Sequence, residues 1–186
     1  MRMPQTAAAK IGFPMAMLIL VGAVLLGIAG YWLLEKRPGY GAYYGLAKLT
    51  GSRLDIGPVD WATLTRHATP NDALVCAPAR CPQAKPDWEP RIYAMVPGEL
   101  LGRLEQLALA EPNVIRLPPA PRRALTARFV QHTRLMRYPD TIDIEVFPAD
   151  AGATLAIYSR SLIGRKDFGV NRARVTRWLA KLDESL

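Results

Sequence analysis

YSRSLIGRKDFGVNRARVTR, residues 158–177, decides the fold. It begins with the end of an alternating strand, passes through a polar turn between Gly164 and Gly169, and continues at helical spacing. Val175, Trp178, Leu179 and Leu182 fall on one face of a helix expected over Val170–Leu182, with Arg174, Arg177 and Lys181 on the exposed side. Asp167 stands where a helix N-cap is needed, its carboxylate accepting from backbone N–H groups near Val170 and pairing with Arg165 or Arg172. The same turn holds more arginine than a turn requires. Arg160, Arg165, Lys166, Asn171 and Arg172 cluster in sequence around the helix start, a place where unpaired N–H groups attract anions.

Working back from this stretch, Thr154–Arg160 reads as a strand that follows a turn over Pro148–Ala153. Leu125–Met136 alternates, with Leu125, Ala127, Phe129 and Leu135 on one side and Arg128, His132 and Arg134 on the other. Tyr138-Pro139-Asp140-Thr141 is a natural turn. A hairpin closed there sets Leu135 opposite Ile144 and Arg134 opposite Glu145. The next strand sets Leu155 opposite Val146, Ile157 opposite Ile144 and Tyr158 opposite Asp143. Earlier, Arg91–Val96 reads as a short strand and Pro97 as the first position of a helix over Gly98–Ala110, whose Leu100, Leu104 and Leu107 form one stripe. Asn113–Leu117 adds another short strand. The fold class is α+β: an antiparallel meander covered on one face by helices.

Ala68–Pro90 carries five prolines, so it is expected to be an ordered arm laid across the sheet and pinned by Leu74, Val75 and Trp88. Cys76 and Cys81 lie inside it, close enough in sequence for a disulfide to staple a tight loop. A metal site needs further ligands, and with only His67 and His132 in the chain none is expected. No cofactor motif is present.

Ile11–Leu34 is apolar and uncharged for 24 residues. As a helix it extends roughly 36 Å, beyond the roughly 30 Å hydrocarbon core of a bilayer. Tyr31 and Trp32 sit where an interfacial aromatic belt would lie. The segment reads as a single transmembrane anchor after a tail over 1–10, followed by a connector over 35–57 with one short helix around Tyr43–Leu49, and a domain over 58–186. A cleaved secretory signal is the rival, since Arg2 and Lys10 make a basic start and Gly27-Ile28-Ala29 is a small-x-small site. Lys and Arg near the segment favour a cytoplasmic domain. Translocation of long domains largely ignores such charge, however, and a paired Cys76 and Cys81 suits an oxidising compartment, so the periplasmic side of a bacterial inner membrane is the expectation.

From residue 38 onward there are 20 Lys/Arg against 15 Asp/Glu. Six arginines and no acid occupy Arg116–Arg137, and four acids and no base occupy Asp140–Asp150, a segregation that points to pairing across strands. Nucleic-acid binding is not expected, because no basic stripe is interleaved with aromatics. Ser161 has no histidine nearby in sequence to activate it.

The runs NDALVCAPARCPQAKPD (71–87), RLMRYPDTIDIEV (134–146) and above all SRSLIGRKDFGVNRARV (159–175) resemble the domain of unknown function 1499 family over roughly residues 55–184. The resemblance implies a bacterial or plastid protein, often with an export signal or membrane segments, and assigns no activity. The functional expectation is therefore a membrane-anchored, non-enzymatic cell-envelope domain that binds an anionic lipid headgroup or an acidic envelope partner through the turn before the last helix. The alternative is an enzyme on a small anionic substrate with Asp167 as acid/base.

Overall fold

A computed structural model describes residues 13–35, 49, 55–66, 68–134 and 137–184. It divides into two units, 1–40 and 41–186. In the first, helix α1 (Phe13–Glu35) includes a 19-residue stretch, Met15–Leu33, long and apolar enough to cross a membrane. Pro14 falls in its first turn, where the missing N–H costs little. Of the connector helix expected over Tyr43–Leu49, only Leu49 lies within the described residues, and it is helical.

The second unit is an antiparallel five-stranded sheet with two helices on one face. In chain order its elements are β1 (Asp72–Val75), α2 (Pro97–Leu109), β2 (Val114–Leu117), β3 (Thr126–His132), β4 (Pro139–Ala149), β5 (Gly152–Ser161) and α3 (Val170–Glu184). The strands lie in the order β1-β5-β4-β3-β2. Alternation sends Ala127, Phe129, Ile142, Ile144, Val146, Leu155 and Ile157 toward the helices. There they meet Leu100, Leu104 and Ala108 of α2 and Val175, Trp178 and Leu182 of α3. Arg177 and the Trp178 indole both donate to Glu111, just beyond α2, which ties the end of α2 to the middle of α3.

The β4–β5 register is the expected one, with Val146 opposite Leu155, Ile144 opposite Ile157 and Asp143 opposite Tyr158. The β3–β4 register is not. Strand β3 ends at His132 and Pro139 already lies in β4 opposite it, so Ile144 meets Ala127 and Glu145 meets Thr126. Leu135 is outside the described residues, and Arg134 lies in the connection. The expected turn placed Tyr138–Thr141 at the bend, whereas the backbone of Thr141 and Asp140 is taken up by the ladder. Ile144 has moved eight residues along its partner, an even number, so every side chain kept its expected face.

Two further expectations change. The strand over Arg91–Val96 shrinks to a single bridge between Tyr93 and Ala153. That bridge brings the Tyr93 carbonyl so near Gly152 that a Cβ there would lie 2.0 Å from its oxygen, at a φ of +137°. The proline-rich arm is no mere cover, because Asp72–Val75 enters the sheet as edge strand β1 on β5. Its continuation folds back, with Trp88 bridging Val75 and the Asp87 carboxylate accepting from the Leu74 N–H at 2.9 Å.

The sheet face away from the helices is not open either. Segment 55–66 and the Cys76–Cys81 loop cover it, burying Val59, Trp61, Leu64, Cys76, Cys81 and Ala84 against Leu74, Phe147, Ala156 and Tyr158. Cys76 and Cys81 form a disulfide that closes a short loop, a constraint worth on the order of 2 kcal/mol on loop-entropy grounds.

His132 sits half-buried at the end of β3. Burial, reinforced by the Arg137 guanidinium, holds its imidazole below the usual value of 6.5. As pH falls below about 6.5 the unfolded chain takes up this proton before the folded one does, so stability declines through that window. In urea titrations at about pH 7.5 and about pH 5.5, His132→Gln is expected to lose less stability between the two than the parent chain. An identical loss in both would remove His132 from the account.

Candidate functional site

The residues around the β5–α3 turn separate onto three surfaces. On the helix side of the sheet, Ser159 and Ser161 point toward α3. The Ser159 hydroxyl donates to Asn171 Oδ1 at 2.7 Å and accepts from Arg174 Nη1 at 2.6 Å, while Ser161 donates to Asp140 at 2.6 Å. Arg174 is 2% exposed, not on the solvent side expected of a charged residue. Its Nε donates to Gln131, its Nη1 also to Asn171 and its Nη2 to Asp140 at 2.9 Å. Asn171, fully buried, donates from its amide to Asn71 O, Ser161 Oγ and Asp167 Oδ2. This network locks the end of β5 to the start of α3.

Asp167 is the cap of that helix. Its Oδ1 accepts from the Gly169 N–H at 3.0 Å and its Oδ2 from the Asn171 N–H at 2.9 Å. The donors that a helix start offers to an anion are thus engaged by a carboxylate from the chain itself, and no ion pair joins Asp167 to Arg165 or Arg172 among the described residues.

On the opposite face lies Arg160, which strand alternation turns away from α3. It donates to Thr141 Oγ1 and to Gly57 O, and its Nη2 stands 3.6 Å from Asp143. Asp143 also accepts from Arg128 Nε at 2.7 Å and Val59 N–H at 3.4 Å, while Arg128 reaches Asp55 at 2.6 Å. Burial pushes the Asp143 carboxyl above its usual range despite Arg128 and Arg160, and its Oδ2 lacks a hydrogen bond. Nearby, Glu145 accepts from the Trp61 indole at 2.7 Å and Arg123 at 3.1 Å. The arginine-rich and acid-rich segments thus pair across the sheet. Residues 55–61 form a strap fixed by these side chains, and beside it Trp61, Arg80, Arg123 and Phe147 line a cleft of about 560 Å³.

Arg172 occupies the third surface, its guanidinium 3.1 Å from Asp87 and 4.6 Å from the Trp88 ring centre. Of the five residues expected to form one anion site, Arg160, Asn171 and Arg172 therefore serve three different sets of partners. Arg165 and Lys166 remain together at the exposed tip of the turn, and no hydrogen bond or ion pair is found for either among the described residues. The turn's base is rigid: Asn71 Nδ2 donates to Gly164 O at 2.9 Å and Leu162 N–H to Pro139 O at 3.0 Å. Phe168, which the periodicity did not single out, stands on the same tip and is 94% exposed. The signal available in sequence was an aromatic placed between a capping aspartate and a glycine.

The sequence profile of a family described as protein of unknown function (DUF1499) matches residues 64–182. The chain belongs to this family. The DUF1499 match takes in all five strands, the arm and most of α3, with the Ser159–Arg174 network inside it. It begins at Leu64, so the whole strap lies before it. No curated protein and no solved structure matches the chain.

Proposed function

We propose that this DUF1499 chain is a non-enzymatic, single-pass domain of the bacterial cell envelope, tethered by α1 on the periplasmic side. Its basic tip, Arg165 with Lys166, contacts anionic lipid headgroups. One observation carries the reading: two adjacent cations stand exposed on a pinned turn, with no carboxylate paired to either among the described residues. Each basic residue near an anionic leaflet contributes about 1 kcal/mol. Two such contacts are weak alone. They suffice once a membrane-crossing helix in the same chain raises the effective concentration of lipid. The Cys76–Cys81 disulfide supports an oxidising compartment.

A catalytic role for Asp167 has less support. An acid/base needs a carboxylate able to exchange its proton with substrate, whereas both oxygens here accept N–H bonds that hold α3 in place. The arginines meant to clamp a substrate face different surfaces.

The test is backbone hydrogen exchange over residues 162–170 in the full chain, reconstituted in nanodiscs. Discs rich in phosphatidylglycerol are expected to slow exchange by about thirtyfold over phosphatidylcholine discs, which is about 1 kcal/mol for each of the two cations. Reversing both cations, R165E with K166E, or adding salt should abolish the difference. Equal exchange in the two lipids would sink the proposal.

A further inference from the structure

We infer that Phe168 is a bilayer-inserting wedge, its ring entering the acyl boundary while Arg165 and Lys166 remain at headgroup level; this rests on the anionic-lipid reading above. Phe168 is 94% exposed and has φ +55°, in the left-handed region that disfavours bulky side chains. Gly169 follows at φ +80°. The Asp167 side chain spans the pair by accepting from the Gly169 N–H. The backbone is therefore held in a form that asparagine or glycine would adopt more readily, and it turns the ring into water. Nothing within the domain gains from an aromatic at this place.

The neighbourhood fits a lipid surface. Val170 is 46% exposed beside the ring, and Arg165 and Lys166 precede it on the same turn. An exposed apolar tip flanked by cations matches the boundary between anionic headgroups and acyl chains, where one part is buried and the other stays wet. Three acids around this turn and the start of α3 are engaged elsewhere: Asp167 in the cap, Asp140 with Arg174, and Asp87 with Arg66 and Arg172. The chain also carries a helix long and apolar enough to cross a membrane. Because the turn is pinned by Asn71 and by the Asp167 cap, insertion needs little ordering of the backbone.

The experiment places a nitrobenzoxadiazole fluorophore on a Phe168→Cys full chain, with the Cys76–Cys81 disulfide intact, in phosphatidylglycerol-rich nanodiscs containing doxyl-labelled acyl chains. Insertion predicts a blue-shifted emission quenched most by doxyl groups near the top of the acyl chain. In the unlabelled protein, Phe168→Ser is expected to lose about tenfold of the exchange protection over residues 162–170, a conservative figure for a partly buried ring. Being fully exposed, the position tolerates both changes without loss of fold. Protection that depends on Arg165 and Lys166, with an unquenched label and no effect of Phe168→Ser, would overturn the wedge and leave the headgroup reading standing. Absence of both signals would overturn both. Quenching that survives reversal of the two cations would uphold insertion and reject the charge contact.

Discussion

Replacing Arg174 by alanine is expected to destabilise the domain by about 3–5 kcal/mol, the usual cost of removing one member of a buried ion pair. The side chain is 2% exposed, and its three nitrogens serve Gln131, Ser159, Asn171 and Asp140. Truncation leaves the buried Asp140 short of its cationic partner, while Ser159 loses one of the bonds that join α3 to β5. Small domains hold only about 5–15 kcal/mol in total, so much of the margin would go. Arg174→Lys should recover little of it, since an ammonium cannot present the fork that meets these acceptors together. Equilibrium urea unfolding followed by tryptophan fluorescence reads the effect directly. A loss below about 1 kcal/mol for the alanine variant would show that the network is not what locks the helix to the sheet.

A comparable loss is expected on the other face. Asp143→Ala strips Arg128 of its 2.7 Å partner and leaves Arg160, already 3.6 Å from the carboxylate, with only neutral acceptors. Two largely buried guanidiniums would then share the half-exposed Asp55, at a cost of about 3–5 kcal/mol. Asp143→Asn separates charge from shape. It keeps an acceptor for Arg128 while relieving the burial that pushes this carboxyl upward, so its loss should be nearer 1–2 kcal/mol. The sign follows from the same shift. A carboxyl raised by folding contributes most below its unfolded value near 3.8 and less as pH rises through the folded one, so the Asp143→Asn deficit should shrink from acid toward neutral pH. A deficit that grows toward neutral pH would mean that the arginines, not burial, govern this group.

These two residues also mark where the sequence was legible and where it was not. Local pattern located α2, α3 and β5, because Leu100 and Leu104, or Val175, Trp178 and Leu182, repeat at the period of the element that buries them. Tight coupling between β4 and β5 through a short connection made their register readable as well. Pattern failed where a partner came from far along the chain. Arg174 borders the buried stripe, one turn before Trp178, but its charge argued for solvent, and only Asp140, Gln131 and Ser159 on three different strands satisfy it inside. β1 was hidden because four residues between prolines carry too little periodicity to announce a strand. The five-residue anion site dissolved for a related reason. Adjacency in sequence said nothing of Arg160 belonging to the opposite face of its strand, and only Arg165 and Lys166 share a turn short enough to keep them together.

The strap over residues 55–61 has a mechanical consequence. It overlaps the end of the connector, and besides the packing of Val59 and Trp61 its attachments are individual polar bonds: Asp55 to Arg128, Gly57 to Arg160, Val59 to Asp143 and Arg123, Trp61 to Glu145. Tension along the connector would reach the domain through these bonds in order, beginning at Asp55, and would be delivered to β3, β4 and β5, the three central strands, and not to either edge. Each anchor strand is laddered to neighbours on both sides, so load is shared across the sheet before any strand is asked to leave it. The polar bonds at Asp55 and Gly57 take the load before the packed Val59 and Trp61 do, while the sheet behind them stays whole.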